Sequence, residues 1–346
     1  MHICHINLAK GFRGGERQTF LLMLGLSKTD TQQKLICRKN SDLARKAKSI
    51  EGLEVIEIGK PFLFHTLKVT GSDLIHVHEG RSSHFAYFAN KTTQIPYIIT
   101  RRIPNKPSNS FFTKKAYKNA TRIIGLSNAI KNQLLEYDSQ LPCNIIPSMR
   151  SDLPCNEKVV EELRSKYKNQ IIIGHIGALV DHHKGQRTII DAAKQLLSSH
   201  PHIRFLLLGQ GKDENLLREE AKDLANIEFV GFVDNVGDYI ELFDYFVFPS
   251  NEEGLGSILL DVMQFRKPVI ASDVDGIPDI IQDESNGLLI KPKDSAALAT
   301  SIVRLIEDPE LAQRLTNNAW QTVQNYDVES ITNRYIKLYK ELLQNK

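Results

Sequence analysis

Apolar runs of strand length alternate with helix-length amphipathic stretches from one end of this 346-residue chain to the other. That alternation restricts the fold to α/β, with parallel sheets covered by helices on both faces. In the first half the strand-like runs are 2–8, 34–38, 54–58, 73–78, 97–101, 122–127 and 144–147. In the second half they are 170–177, 203–209, 227–230, 245–249, 268–272 and 287–290. Helical spacing fills 16–27, 114–120 and 186–198; in the last, Ile189, Ile190, Ala193, Leu196 and Leu197 share one face. The pattern restarts near 170 after a polar, charged stretch, 151–169. A length too great for one ordinary core therefore divides into domains expected at 1–165 and 166–327. Residues 328–346 close the chain with a helix whose apolar surface comes from Ile331, Tyr335, Ile336, Leu338, Tyr339 and Leu342.

A hydrophobic share of 41% and a charged share of 25% are those of an ordinary globular protein. The formal net charge of +3 gives no reason to invoke a nucleic-acid partner. Cys4, Cys37, Cys143 and Cys155 show no CxxC pair and no metal-ligand spacing, which reads as reduced thiols in a cytosolic protein. The N-terminal apolar alternation reaches glycine too early for a signal sequence. No later run approaches the roughly 20 apolar residues of a membrane span. A cytoplasmic protein is expected, with contact at the inner face of the cytoplasmic membrane left open.

Three loops could carry chemistry. The first, Lys10 to Glu16, places Gly14 and Gly15 between a strand and a helix. It either lets an anion approach free helix amides or is a tight turn without a ligand. Its spacing is not GxGxxG, which disfavours a dinucleotide. The second runs from Gly177 to Gly185 at a strand's carboxyl end, where Lys184 offers a mobile charge to a phosphate. His182 and His183 stand beside it without a clear third metal ligand nearby. The third, 248–272, passes from a strand through Glu252, Glu253, Gly254 and Gly256 into a helix. Gly254, Ser257 and Asp261 recur on one side of that helix, so carboxylates stand at Glu253 and at Asp261, eight positions on. Glycines admit backbone amides to a phosphate, and carboxylates accept hydroxyl hydrogen bonds from a sugar or ribose.

The run PSNEEGLGSILLDVMQFRKPVIAS resembles the E-x7-E signature of glycosyltransferase family 4 (group 1), whose members are retaining GT-B enzymes. The likeness continues through RGGERQ, LLLGQGKDENLL, VGFVDNV and DGIPDIIQDESNGLLIKPKD, and so spans nearly the whole chain. It implies two Rossmann-like domains facing across a cleft, the first for the acceptor and the second for a nucleotide-sugar donor, with the last helix returning to the first domain. By resemblance, Glu253 meets donor sugar hydroxyls, while Gly254, Leu255, Gly256 and Ser257 offer backbone to the sugar and diphosphate. Asp261 takes the ribose, Lys184 and Gly14–Gly15 the diphosphate, and Gly209, Gly231 and Phe232 belong to the donor side. His78, Glu79, His84 and Arg101 fall on the acceptor side.

Three positions depart from the family pattern. Asp261 is one methylene shorter than glutamate. Ala178 replaces the usual arginine, leaving Arg187 or a protonated His183 as substitutes. Arg102 stands where many relatives have a reaction-centre histidine; it cannot act as a base, but it can stabilise a departing diphosphate or an anionic acceptor. From Arg101 to Arg122 seven basic residues surround Phe111 and Phe112, which fits an anionic membrane or a phosphorylated glycolipid and, equally, a solvated helix face.

The resemblance implies front-face transfer of a sugar to a glycan or glycolipid, in lipopolysaccharide or surface-polysaccharide assembly, without a metal cofactor. The Asp273-Val274-Asp275 triplet is accordingly read as non-metal. The rivals are a nucleotide-sugar epimerase of the same fold, a non-catalytic nucleotide-sugar binding module and, more weakly, a dehydrogenase.

Overall fold

Seven short strands open the chain: β1 (His2–Asn7), β2 (Gln32–Arg38), β3 (Leu53–Ile58), β4 (Leu74–Val77), β5 (Tyr97–Arg101), β6 (Arg122–Gly125) and β7 (Cys143–Ile145). In the computed structural model, which describes residues 1–344, they form one parallel sheet in the order β3-β2-β1-β4-β5-β6-β7. Six more follow: β8 (Ile171–Ile176), β9 (Ile203–Leu208), β10 (Ile227–Gly231), β11 (Tyr245–Phe248), β12 (Val269–Ser272) and β13 (Leu288–Ile290). These make a second parallel sheet, β10-β9-β8-β11-β12-β13. Strands such as β9, read as IRFLLL, are apolar on both faces because helices cover both. The order reverses between β1 and β4 and between β8 and β11, and such switch points are where open α/β sheets leave a crevice at the strands' carboxyl ends.

One compact unit joins Met1–Met149 to the stretch from Tyr326 onward; the other is Arg150–Asn325. The first boundary thus falls ahead of the expected 165/166. The charged stretch read as a linker contains the helix Glu157–Lys166, which belongs to the second unit. Arg164 donates to the Leu242 carbonyl at 2.6 Å and to Asp244 at 3.2 Å, and the Asn156 amide reaches Asp238 at 2.6 Å. A half-exposed covering helix has few apolar residues, so its sequence resembles a linker.

The helix Val328–Gln344 lies in the first unit and inserts Ile331, Tyr335, Leu338, Tyr339 and Leu342 among Leu21, Leu22 and Leu26. Gly25 permits this close approach: a Cβ there would sit 2.1 Å from Thr332 Oγ1 and 3.0 Å from Val328 Cγ1. Gly25→Ala is therefore expected to destabilise the first unit. Overpacking against a β-branched side chain costs about 1–3 kcal/mol, which outweighs the roughly 1 kcal/mol of helix propensity gained. Urea denaturation checks this, and an unchanged midpoint would contradict it.

Burial pushes the Cys4 and Cys37 thiols up to about 12, so both are neutral packing groups. Among the described residues no helix is long and apolar enough to cross a membrane.

Candidate active site

At the carboxyl edge of the second sheet, two loops distant in sequence are stitched together. The turn after β8 closes as a short helix, Asp181–Lys184, followed by Gly185 at φ 65°. A Cβ on Gly185 would lie 2.0 Å from the Pro249 carbonyl oxygen, so only glycine lets this turn touch the loop after β11. From that loop, the amides of Asn251 and Glu252 donate to the His183 carbonyl at 2.8 and 3.2 Å. Asn251 Nδ2 donates to the Asp181 carbonyl at 3.1 Å.

This stitching brings Lys184 and Glu253, 69 positions apart, into direct ionic contact. Their side chains are only 22% and 16% exposed. The Lys184 ammonium also sits 5.1 Å from the centroid of the buried Phe248 ring. The Glu253 amide donates to Asp275 Oδ2 at 2.9 Å, and the Glu253 carbonyl accepts from Gly276. Beyond Glu253, Gly254, Leu255 and Gly256 are buried, Gly256 adopts φ 82°, and Ser257 begins the helix Ser257–Gln264. The arrangement offers a cation, a carboxylate and glycine backbone within one loop cluster.

The neighbouring strand end adds its own close approach. Gly209, at φ 130°, would place a Cβ 2.0 Å from the Gly177 carbonyl oxygen, so its glycine is required by packing alone. Its amide donates to the Gly231 carbonyl at 2.8 Å, and the next side chain, Phe232, is 66% exposed.

Several expected site residues are engaged elsewhere. Asp261, expected to be open to a ribose, is buried, and its Oδ1 accepts the Ser151 amide at 2.5 Å. Arg187, a proposed substitute for the missing arginine, is held by Glu220 at 2.8 Å and Asp181 at 3.1 Å, and these carboxylates raise its pKa. His183, the other substitute, pairs with Glu252 at 3.0 Å. Glu252 is also the third group that the sequence left unidentified beside His182 and His183; the trio is solvent-facing.

In the first unit, Gly14 and Gly15 begin the helix Gly14–Leu26, and Glu16 accepts the Arg13 amide at 2.9 Å. Arg102 lies over this terminus, its Cδ 3.3 Å from where a Gly15 Cβ would be. Its Nε is buried without a protein partner, and burial lowers its pKa. The acceptor-side expectations fare differently. Arg101 is buried, donating to Tyr117 at 3.1 Å and to the Asn105 carbonyl, so it shapes its own loop. His78 is buried too, with Nε2 2.9 Å from His5 Nδ1. Glu79 accepts the Arg81 amide at 2.8 Å just ahead of the helix Ser82–Thr93, and His84 Nε2 lies 3.0 Å from Thr113 Oγ1. His5, His76 and His78 form a buried trio, and Arg102 adds positive charge against His76 and His78; a cation held by those two would meet that same repulsion.

The sequence reading missed the supports beneath the Lys184 loop. Gln186 Nε2 donates to the Ala178 carbonyl at 2.9 Å, and His175 Nδ1 lies 3.0 Å from the Val247 carbonyl. Only Gln186's place at the helix start, directly after a glycine, hinted at this.

Residues 159–322 match the family described as glycosyl transferases group 1. An uncharacterized glycosyltransferase of Methanocaldococcus jannaschii is 29% identical over 304 residues, covering 84% of this chain and 80% of that protein. The chain is a glycosyltransferase with a group 1 domain. A phosphatidyl-myo-inositol mannosyltransferase of Mycobacterium leprae is 27% identical over 283 residues, 78% of this chain and 73% of its own. Among solved structures, Anabaena HepE in complex with UDP and glucose superposes with a TM-score of 0.87 at 19% identity, over 99% of this chain and 100% of that one. That likeness shows the glycosyltransferase's fold, GT-B with two parallel α/β sheets.

Proposed function

We propose that this glycosyltransferase moves a sugar from a nucleoside diphosphate to a glycan or glycolipid, with retention at the anomeric carbon, as a member of glycosyltransferase family 4. The observation that carries the reading is the Lys184–Glu253 pair, set beside glycine backbone at the sheet's carboxyl edge. Lys184 neutralises the diphosphate as its bond to the sugar breaks, and Glu253 holds the sugar's hydroxyls. The acceptor hydroxyl attacks the anomeric carbon on the face the phosphate leaves, and its proton passes to the departing phosphate oxygen. Gly14, Gly15 and Arg102 form a second anion-binding group in the first unit. With the leaving charge met by Lys184 and backbone amides, the reaction needs no metal. Asp261 acts by holding the Ser151 amide and so positioning the helix after Glu253.

Anabaena HepE binds UDP and glucose, and the mycobacterial relative acts on a phosphatidylinositol lipid. Both support a sugar-nucleotide donor and a lipid-linked acceptor here, with surface-polysaccharide or lipopolysaccharide assembly at the cytoplasmic side of the membrane as the setting. The test has two stages. Thermal shift against UDP, GDP, ADP and CMP identifies the nucleotide; the matching sugar donor is then incubated with a glycolipid extract. NMR of the product is expected to show the donor's anomeric configuration. An inverted linkage would overturn retention, and an isomerised sugar formed without acceptor would make the protein an epimerase.

A further inference from the structure

Eight large apolar side chains among the described residues are strongly exposed, and six of them lie between Leu63 and Phe112. Phe64 is 83% exposed, Phe111 67% and Leu67 62%, with Leu63, Ile103 and Phe112 completing the set. They are gathered by the fold. The 3-10 segment Phe62–Val69 packs beside the helix Ser82–Thr93, which packs in turn on the helix Phe111–Lys118. Aromatic rings run across the seam, from Tyr87 to Phe88 at 5.3 Å, Phe88 to Phe112 at 5.6 Å, and Phe112 to Phe111 at 5.5 Å.

The charge along these segments has one sign. No Asp or Glu occurs from residue 58 to 72 or from 80 to 135 in a chain holding 41 of them. Lys60, Lys68, Arg81, Lys91, Lys114, Lys115 and Lys118 are all exposed on these segments. On the helix Phe111–Lys118 the inward face is Thr113, Ala116 and Tyr117, which leaves Phe111, Phe112 and three lysines outward. Lys115 lies 5.6 Å over the Phe111 ring, and Lys91 5.6 Å over Tyr87.

We propose that this aromatic and lysine-rich flank of the first unit docks on an anionic lipid bilayer. Phenylalanine and leucine gain by entering the boundary between headgroups and acyl chains. Lysine, a compact charge on a flexible stem, suits a mobile field of lipid phosphates better than one fixed carboxylate partner. Exposed rings and an acid-free field together match a surface that is apolar beneath and negative above. This face belongs to the first unit and uses neither Lys184 nor Glu253, so its test does not depend on the sugar-transfer reading.

The full chain is sedimented with phosphatidylcholine vesicles, with and without phosphatidylglycerol. Binding is expected only to the anionic vesicles, and to weaken with salt. Neutralising Lys114, Lys115 and Lys118 to alanine is expected to lower partitioning roughly a hundredfold at low salt, about fivefold for each charge. Phe64→Ser with Leu67→Ser is expected to weaken binding at low and high salt alike, since its loss is apolar. Unchanged melting curves confirm that both variants fold. Absence of vesicle binding, equal binding to neutral vesicles, or unaltered binding by both variants would each overturn the proposal. Salt-sensitive capture of an acidic protein with no vesicle binding would do the same.

Discussion

Lys184→Ala is expected to lower kcat for sugar transfer by about 10²–10³-fold, the usual consequence of removing one preorganised charge from a developing oxyanion. Glu253→Gln is expected to lose turnover too, but by another route. With Lys184 in the proposed role toward the diphosphate, its loss is also expected to weaken binding of the bare nucleoside diphosphate, about tenfold or more for one charge-assisted contact. With Glu253 in the proposed role toward the sugar hydroxyls, Glu253→Gln is expected to leave nucleoside diphosphate affinity nearly intact. Titration calorimetry with the nucleotide, set beside steady-state kinetics with the sugar donor, separates the two. The residues touch, so their effects are not additive: removing Lys184 leaves Glu253 a poorly solvated, uncompensated carboxylate. The double replacement to alanine is therefore expected to be folded and nearly inactive. Full activity in that protein would remove the site assignment.

Acidification below pH 6.5 is expected to unfold the first unit. Burial lowers the His5 pKa to about 3, and burial with neighbouring positive charge holds His76 and His78 well below the ordinary 6.5. Between each folded pKa and 6.5 the unfolded chain binds a proton that the folded chain refuses. Stability therefore falls as pH falls, and the contribution of the neutral histidines is complete only above 6.5. Each group costs about 1.4 kcal/mol per pH unit, so three together cost roughly 4 kcal/mol per unit while all stay neutral. Against a total of about 5–15 kcal/mol, a drop of one to two units is decisive. The second unit carries one such group, His175, lowered to about 4, and should resist longer. Trp320, the single tryptophan, lies in the second unit, so its fluorescence reports that unit alone. Far-UV circular dichroism should lose signal at higher pH than Trp320 fluorescence does. Stability that stays flat from pH 7 to 5 would show the histidines to be solvated.

The strand positions, the parallel α/β class and the loops in which Lys184 and Glu253 stand were all legible along the chain. A strand buried on both faces is an unbroken apolar run, and the glycines at 185, 209 and 256 mark backbone that no other residue could adopt so cheaply. The partners emerged only from packing. Arg187 meets Glu220 33 positions away, and Asp261 meets the Ser151 amide 110 positions away. Arg101 turns inward to Tyr117, while Phe64 and Leu67 turn out toward solvent. Periodicity records whether a side chain faces core or water, averaged over an element. Which charge lies opposite which is set by how separate elements pack, and no local pattern along the chain encodes that distance.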